Sequence, residues 1–519
     1  VSKGLGRNHN QFAVDYADNL YVVGNSGEKI IAFALPYDKT RITPAASEYT
    51  FEITKPNYDH PENHLAPFAY DLRKTIEGDG RTKLHFMLNA HAKKVQVVLI
   101  DETKEDGDPT KEIILREYPN AKSEYKDFIP YHTEGYGTVI TTEDVDTLGL
   151  EYGKNYSWRV DVWGKEVLEN KALKYAKFYR FYCPTAVDID NNPNNPTFGT
   201  IFTNEALHEV KGESGYMGSG YGAGLYAFTA DFKPIKNGTE PGFNGGNEFM
   251  NMRPGYENKE VKDIYKAHTP RRIRVSEDGR IFVTSLNTNG TYLWEVTPGK
   301  LNEWTPIFKG ASVNDDNEIL DGSGNFIVGP NCGFDVKGRD EHLQLMMYSV
   351  NKQGIDLATM SGFKCAEYNL GTEKLWSTKP SKMWISGKYA INCFGTQVEY
   401  DNEGGFWIAS YRDAATDANP GLVHINADGV EDAKLVWSKV RNAGIRFNKD
   451  FTKLVVAGNN GTTQKATIYT VSKDANGKPK FFIINEAIKV NLNPSLVGSA
   501  GAVAPLPNAT SSVFKTAPS

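Results

Sequence analysis

Five side chains that donate hydrogen bonds recur at one place in a repeating pattern, just ahead of an apolar run. They are Asn10 in GRNHNQ before Phe12, Arg271 in TPRRIR before Val275, Asn331 in GPNCG before Phe334, Gln397 in FGTQ before Val398, and Asn442 in VRNAG before Ile445. Amides and guanidinium groups ringed about one opening suit a hydroxyl-rich or carboxylate-bearing ligand. The same groups can also serve loop backbone and channel water, which any such ring must satisfy.

Other candidates surround this set. GESGYMGSGYGAGLY (Gly212 to Tyr226) lacks the Lys-Ser/Thr pair of a phosphate cradle and reads as a loop carrying Tyr216 and Tyr221 toward a ligand. Trp304 and Trp384 stand near loops, where a ring face could stack on a sugar. Trp407, between Phe406 and Ile408, is expected in packing instead. VNDDNEILDGSGN (Val313 to Asn325) gathers Asp315, Asp316, Glu318 and Asp321 but lacks the EF-hand spacing. It is expected to be a solvated turn; Ca²⁺ is the one ion it could hold, and no cofactor is expected. DIDNNPNNP (Asp188 to Pro196) reads as an Asx-rich turn. No G-x-S-x-G, H-E-x-x-H or Walker A motif occurs, and the histidines form no pair at ligand spacing. A propeller hydrolase or lyase would need carboxylates or His at the funnel, where amides are read, so no catalytic residue is assigned.

The elements that must position these residues are strands. With 48 Gly, 12% aromatics and no long helical periodicity in 519 residues, the chain reads as all-β with many turns. FAVDYADNLYVVGNSGEKIIAFALP (Phe12 to Pro36) alternates apolar residues, turns at Asn25-Ser26-Gly27 and continues as a strand. The pattern returns at Ala186, Arg272, Gly333, Gln397 and Gly444, with Asp, Asn and Gly closing the hairpins. Six copies predict a six-bladed β-propeller, or a seven-bladed one if Asn237 to Lys266 hides a further blade.

Between the first two copies lie FAYDLR, LHFMLN, VQVVLID, EIIL, TVITTED and YSWRVDVWG, short alternating runs that suit an immunoglobulin-like or fibronectin-III-like sandwich. Tyr156, Trp158, Val160 and Val162 share one face and are expected in its core. The expected division is 1–50 for N-terminal strands completing the last blade, 65–174 for the inserted sandwich and 180–519 for the propeller. Closure by the N-terminus is expected because the C-terminal tail, rich in Gly, Ala and Pro, offers at most one weak strand.

DYADNLYVVGNSGEKIIAFALP, the unit with FAYDLR and YSWRVDVWG, and the resumption at AVDIDNNP resemble secreted or surface-anchored proteins of Bacteroidetes-type bacteria. Such proteins are often lipoproteins accompanying outer-membrane nutrient importers of the starch-utilisation type. The resemblance implies a cell-surface location and capture or presentation of a glycan or peptide for an importer, without catalysis. The alternative is a structural or adhesive subunit acting through protein contacts. A formal net charge of −6 argues against nucleic acid as the main partner. No run of 18 apolar residues spans a membrane. The chain starts at Val1 without a leader-like segment, so it is expected to be a mature or trimmed product. Cys183, Cys332, Cys365 and Cys393 show no metal-ligand spacing and are expected as buried thiols.

Overall fold

The computed structural model describes residues 11–24, 29–34, 66–122, 135–164, 173–177, 185–205, 224–231, 235, 243–245, 269–287, 290–297, 300–306, 312–313, 319–320, 326–328, 333–350, 363–370, 382–386, 397–409, 421–436, 443–459, 464–473, 479–483 and 490–491. These residues build an all-β molecule of many small antiparallel sheets. Strands β1 (Phe12–Val14), β2 (Leu20–Gly24) and β3 (Lys29–Ala34) come first. Next are β4 (Ala69–Ile76), β5 (Thr82–Leu88), β6 (Lys94–Ile100), β7 (Glu112–Pro119), β8 (Tyr136–Val139), helix α1 (Thr142–Leu148) and β9 (Ser157–Trp163). Strand β10 (Leu173–Lys177) then returns to pair with β3, giving the sheet order β1-β2-β3-β10.

Four-stranded meanders follow, each strand pairing with the next. The second sheet holds β11 (Val187–Ile189), β12 (Ile201–Glu205), β13 (Gly224–Phe228) and β14 (Phe243–Gly245). The third holds β15 (Thr269–Val275), β16 (Ile281–Asn287), β17 (Gly290–Thr297) and β18 (Lys300–Pro306). A small sheet of β19 (Ser312–Val313), β20 (Ile319–Leu320) and β21 (Phe326–Val328) intervenes. Then come β22 (Gly333–Lys337), β23 (Gln344–Val350), β24 (Phe363–Asn369) and β25 (Lys382–Ser386), and after them β26 (Gln397–Tyr400), β27 (Phe406–Ala409), β28 (Gly421–Ile425) and β29 (Glu431–Val436). The last sheet has β30 (Ala443–Phe447), β31 (Lys453–Asn459), β32 (Gln464–Lys473) and β33 (Pro479–Ile483), with β34 (Val490–Asn491) also against β32.

The first strands touch in cyclic order: β1 on β11, β11 on β15, β15 on β22, β22 on β26, β26 on β30, and β30 back on β1. This closed, radial arrangement is propeller-like, and it removes the exposed sheet edges that an open array would carry. Every copy of the sequence pattern falls on one of the sheets in this cycle. Of the stretch Asn237 to Lys266, the described part is β14, the fourth strand of the second sheet.

The expected completion of the last blade by residues 1–50 is overturned. Strands β1 to β3 take their fourth strand from β10, while the last sheet draws all its strands from Ala443 onward. The first sheet is therefore filled from beyond the interruption, by LKYAK, a run whose two lysines mask its alternation. Closure is a packing contact between β1 and β30 and not a shared sheet.

Hairpin chemistry explains why the first and second strands meet where they do. Asp15 Oδ1 accepts from Ala17 and Asn19 N–H (2.9 and 2.8 Å). Asp401 Oδ1 accepts from Glu403 and Gly405 N–H, and Asn448 Oδ1 from Thr452 and Lys453 N–H. Each is an Asx-type turn that fixes register by a local side-chain bond. In the third sheet Gly279 takes φ +79°, and a Cβ there would come within 3.3 Å of Asn195, Asp190 and Thr197 from the second, so a side chain would strain both backbone and neighbour.

Strands β4 to β9 form two three-stranded sheets, β4-β5-β8 and β7-β6-β9. Leu84, Phe86, Val95, Val97, Leu115, Val160 and Val162 fill the space between them, with Tyr156 and Trp158 packed at the side, as their shared face predicts. The unit is tied to the ring by Asn19, whose side chain accepts from Ala66 N–H (2.8 Å) and donates to Ala66 O (3.0 Å). Phe68, Tyr70 and Met87 join Ala17, Phe198 and Ala230 in an apolar junction, and Tyr70 OH donates to Asp231 (2.8 Å).

Candidate functional site at the centre of the ring

Each first strand carries one residue between two apolar ones: Ala13 on β1, Asp188 on β11, Arg274 on β15, Asp335 on β22, Glu399 on β26 and Arg446 on β30. Their neighbours, such as Phe12, Val187, Ile273, Phe334, Val398 and Ile445, are buried in the packing between sheets. The pleat sends the middle residue to the opposite face. Five of these six positions are charged, and all five meet inside the ring.

Arg274 Nε lies 3.0 Å from Asp335 and its Nη2 3.2 Å from Glu399. Arg446 Nη2 lies 2.8 Å from Asp188, while its Nη1 reaches Glu399 at 3.3 Å and Asp335 at 3.6 Å. Three of these pairs, Arg274–Glu399, Arg446–Asp188 and Arg446–Asp335, skip an intervening strand and so cross the centre of the ring. The acids also accept from the backbone of the next sheet: Val275 N–H to Asp188 (2.8 Å), Tyr400 N–H to Asp335 (2.8 Å) and Phe447 N–H to Glu399 (3.1 Å). A first strand has no partner on its inner side, and these bonds satisfy amides that would otherwise be buried without one.

Burial sets the electrostatics. Arg274 is 1% exposed and Asp188 0%, so the ions have left water and persist only because they are paired. Loss of water pushes the Glu399 carboxyl up to about 7, helped by Asp335 and opposed by Arg446 and Arg274. Asp188 is raised for the same first reason, with Arg446 and Arg274 pulling it back.

Two residues earlier on the same strand faces lies a second layer: Gln11, Ala186, Arg272, Gly333, Gln397 and Gly444. Three of these positions are Gly or Ala, and Ala186 packs with Phe202 and Leu225 in the apolar core. Gln11 exchanges bonds with the backbone of Ile273, donating from Nε2 to the carbonyl and accepting from the N–H. Gln397 is 0% exposed and accepts from Ile445 N–H at 3.3 Å, but its Nε2 has no acceptor among the described residues. The same holds for Nη1 of Arg274. Unsatisfied buried donors cost about 1–3 kcal/mol each.

Of the ligand-binding candidates read from sequence, Gln397 alone is described with its side chain, and it lies in this second layer. Arg271 is the extra residue of a β-bulge between Pro270 and Arg272. The residue on the same face as Arg274 is therefore Arg272, half-buried. Trp304 is on β18 and Trp384 on β25, the fourth strands of their sheets. At about 4.8 Å per strand spacing, roughly 14 Å separates them from the first strands, so they are not gathered with Gln397. Asn10, Asn331, Asn442, Tyr216 and Tyr221 lie outside the described residues, as do Asp315, Asp316, Glu318 and Asp321 of the acidic loop. Asp190 is engaged as a turn residue, accepting from Asn192 N–H, Asn195 and Thr197. Trp407 is 1% exposed and packs on His424 at 4.5 Å, as expected.

The expectation of a funnel supplying amides in place of carboxylates needs correction, because Asp188, Asp335 and Glu399 stand at its centre. Their signal was present in AVDID, GFDV and QVEY: a charge between two apolar residues in every copy.

No family model matches the chain, and no curated protein matches it. Among solved structures, it is similar to a 6-phosphogluconolactonase-like protein of Bacteroides uniformis (7% identity, 78% of this chain and 96% of that one, TM-score 0.32). It is also similar to prolyl oligopeptidase B of Galerina marginata (11%, 94% and 52%, TM-score 0.34) and to TolB of Acinetobacter baumannii (8%, 78% and 78%, TM-score 0.30). These are β-propeller-type proteins, and at such identities no residue role carries over from them.

Proposed function

We propose that the chain is a non-catalytic binding protein of the cell surface, lipid-anchored or secreted, that captures or presents a glycan or peptide for an outer-membrane importer. In this reading the six sheets in cyclic contact are the blades of a six-bladed propeller, and β4 to β9 are an inserted immunoglobulin-like or fibronectin-III-like sandwich. The ligand enters at the end where the first strands begin. The observation that carries the reading is Gln397 Nε2, buried and without an acceptor among the described residues, on the face shared with Glu399 and in the layer that holds Arg272. At Ala186, Gly333 and Gly444 the same layer carries no side chain larger than a methyl group.

The three carboxylates do not favour catalysis. Each is paired with a guanidinium and bonded to a backbone amide, so none is poised toward a substrate atom. Those same bonds favour the second reading, a structural or adhesive subunit, since they hold the ring together whether or not anything binds. Glycan and peptide arrays separate the two. Capture is expected to give a hit that Arg272→Ala combined with Gln397→Ala abolishes. A ligand-free array, or a hit indifferent to both changes, leaves the adhesive reading.

A further inference from the structure

We propose that His424 is a proton-operated clasp that holds the outer strand β29 to the first hairpin of its sheet, and that β29 lets go when the imidazole loses its charge. His424, on β28, meets an acid at each ring nitrogen. Its Nε2 is 2.7 Å from Asp401 Oδ2, in the β26–β27 turn, and its Nδ1 is 2.5 Å from Asp432 Oδ1, on β29. A neutral imidazole has one N–H to donate and satisfies one carboxylate; the imidazolium satisfies both. The side chain is buried, so a lost proton leaves a ring lone pair facing a carboxylate away from water. The two acids are held unequally. Asp401 Oδ1 accepts from Glu403 and Gly405 N–H, and its carbonyl accepts from Lys337 Nζ of β22 at 2.8 Å. Asp432 sits at a register shift: His424 faces Ala433 and Ile425 faces Glu431, which makes Asp432 the extra residue of a β-bulge. A bulge re-aims a side chain and takes its residue out of the ladder. Loss of the proton therefore frees Asp432 and β29, while the hairpin stays fixed.

The surroundings favour the charged ring. Asp401 faces it from the turn and Asp432 from β29, and the Trp407 ring of β27 lies 4.5 Å away. Beyond Trp407 on the same cross-strand row is Glu399, two strand spacings or about 10 Å from His424. The last sheet covers Trp407 with Ile445, Phe447 and Leu454, which carry no charge. Burial works against the imidazolium, and the bonds to Asp401 and Asp432 outweigh it, so its value is raised above the ordinary 6.5. A raised folded value means that the clasp is fully set below about pH 6.5 and is lost as pH rises through the raised value.

The test is hydrogen exchange of the full chain, read by mass spectrometry at pH 6 and pH 9 and corrected for the intrinsic rate. Amides of residues 431–436 are expected to open at least about threefold more at pH 9, beyond any change in residues 406–409 of β27. Asp432→Asn, whose amide can meet either form of the imidazole, should remove that difference. In the wild type, nitrogen-15 spectra should show both ring nitrogens of His424 protonated at pH 6, the signal being identified by its loss in His424→Gln. A smaller rise, an equal rise in β27, a difference that persists in Asp432→Asn, or a neutral His424 at pH 6 overturns the clasp.

Discussion

Glu399 shows what burial does to a single ionisable group. Its folded value, about 7, lies above the ordinary glutamate value of 4.5. The folded state therefore holds the proton more tightly than the unfolded chain. The stability this group contributes is full below about pH 4.5 and is lost as pH rises through 7, an effect of up to about 3 kcal/mol. Replacing it by Gln removes the titration, so the difference in Tm between wild type and Glu399→Gln is expected to move against the wild type from pH 5 to pH 8. A constant difference across that range would contradict the burial argument. His424 behaves alike through another cause. It sits 2.7 Å from Asp401 and 2.5 Å from Asp432. Its value is raised, the two carboxylates overcoming the opposing effect of burial. Its stabilisation is full below the ordinary histidine value and lost as pH rises through the raised one. Asp432→Asn is expected to cost about 1–3 kcal/mol at pH 6 and less at pH 9, measured by denaturant unfolding.

Elements were more legible than the residues that line their common centre, and the reason is parity. Alternation and Asx turns locate all six first strands because both signals are local. Which face a residue takes depends on counting in twos from a fixed point, and a slip of one reverses it. Arg271 marks the slip: a bulge absorbs it, and Arg272 takes the place beside Arg274. The charged layer escaped notice because Asp, Arg or Glu inside an apolar triplet looks like ordinary alternation until five strands converge. Strand β10 was missed because its partner lies some 140 residues earlier, beyond the reach of any local pattern. The tie between the two units is equally non-local and makes its own prediction. Asn19 bonds Ala66 through both ends of its amide, and Asn89 Nδ2 donates to the same carbonyl at 3.0 Å. Asn19→Ala leaves a buried N–H without its acceptor, at a cost of about 1–3 kcal/mol. Limited proteolysis near residue 65 should accelerate, and calorimetry should show the β4–β9 unit separating from the ring transition.

At the scale of the molecule, the question is what closes the ring. Among the described residues the answer is β1 against β30, reinforced where Asp18 faces Asn448 at 3.4 Å and Lys453 at 3.5 Å. The two strands belong to different sheets, so each sheet is complete before they meet, and closure adds packing and central ion pairs without a shared ladder. The central charges make the ring all-or-none, because Arg446 on the last sheet pairs with Asp188 on the second across the first. Removing residues 1–36 strips β1 to β3, leaves β10 without its partner and uncovers β11 and β30. That truncation is expected to abolish the cooperative transition of the ring, since the cost spans a whole sheet and its two interfaces. The β4–β9 unit has its own apolar core and should keep a separate melting step. Removing residues 492–519 should leave the ring transition within a few degrees of wild type, because closure as described does not draw on them. Scanning calorimetry of both truncations decides the matter: if the C-terminal deletion costs as much as the N-terminal one, contact between β1 and β30 is not what closes the ring.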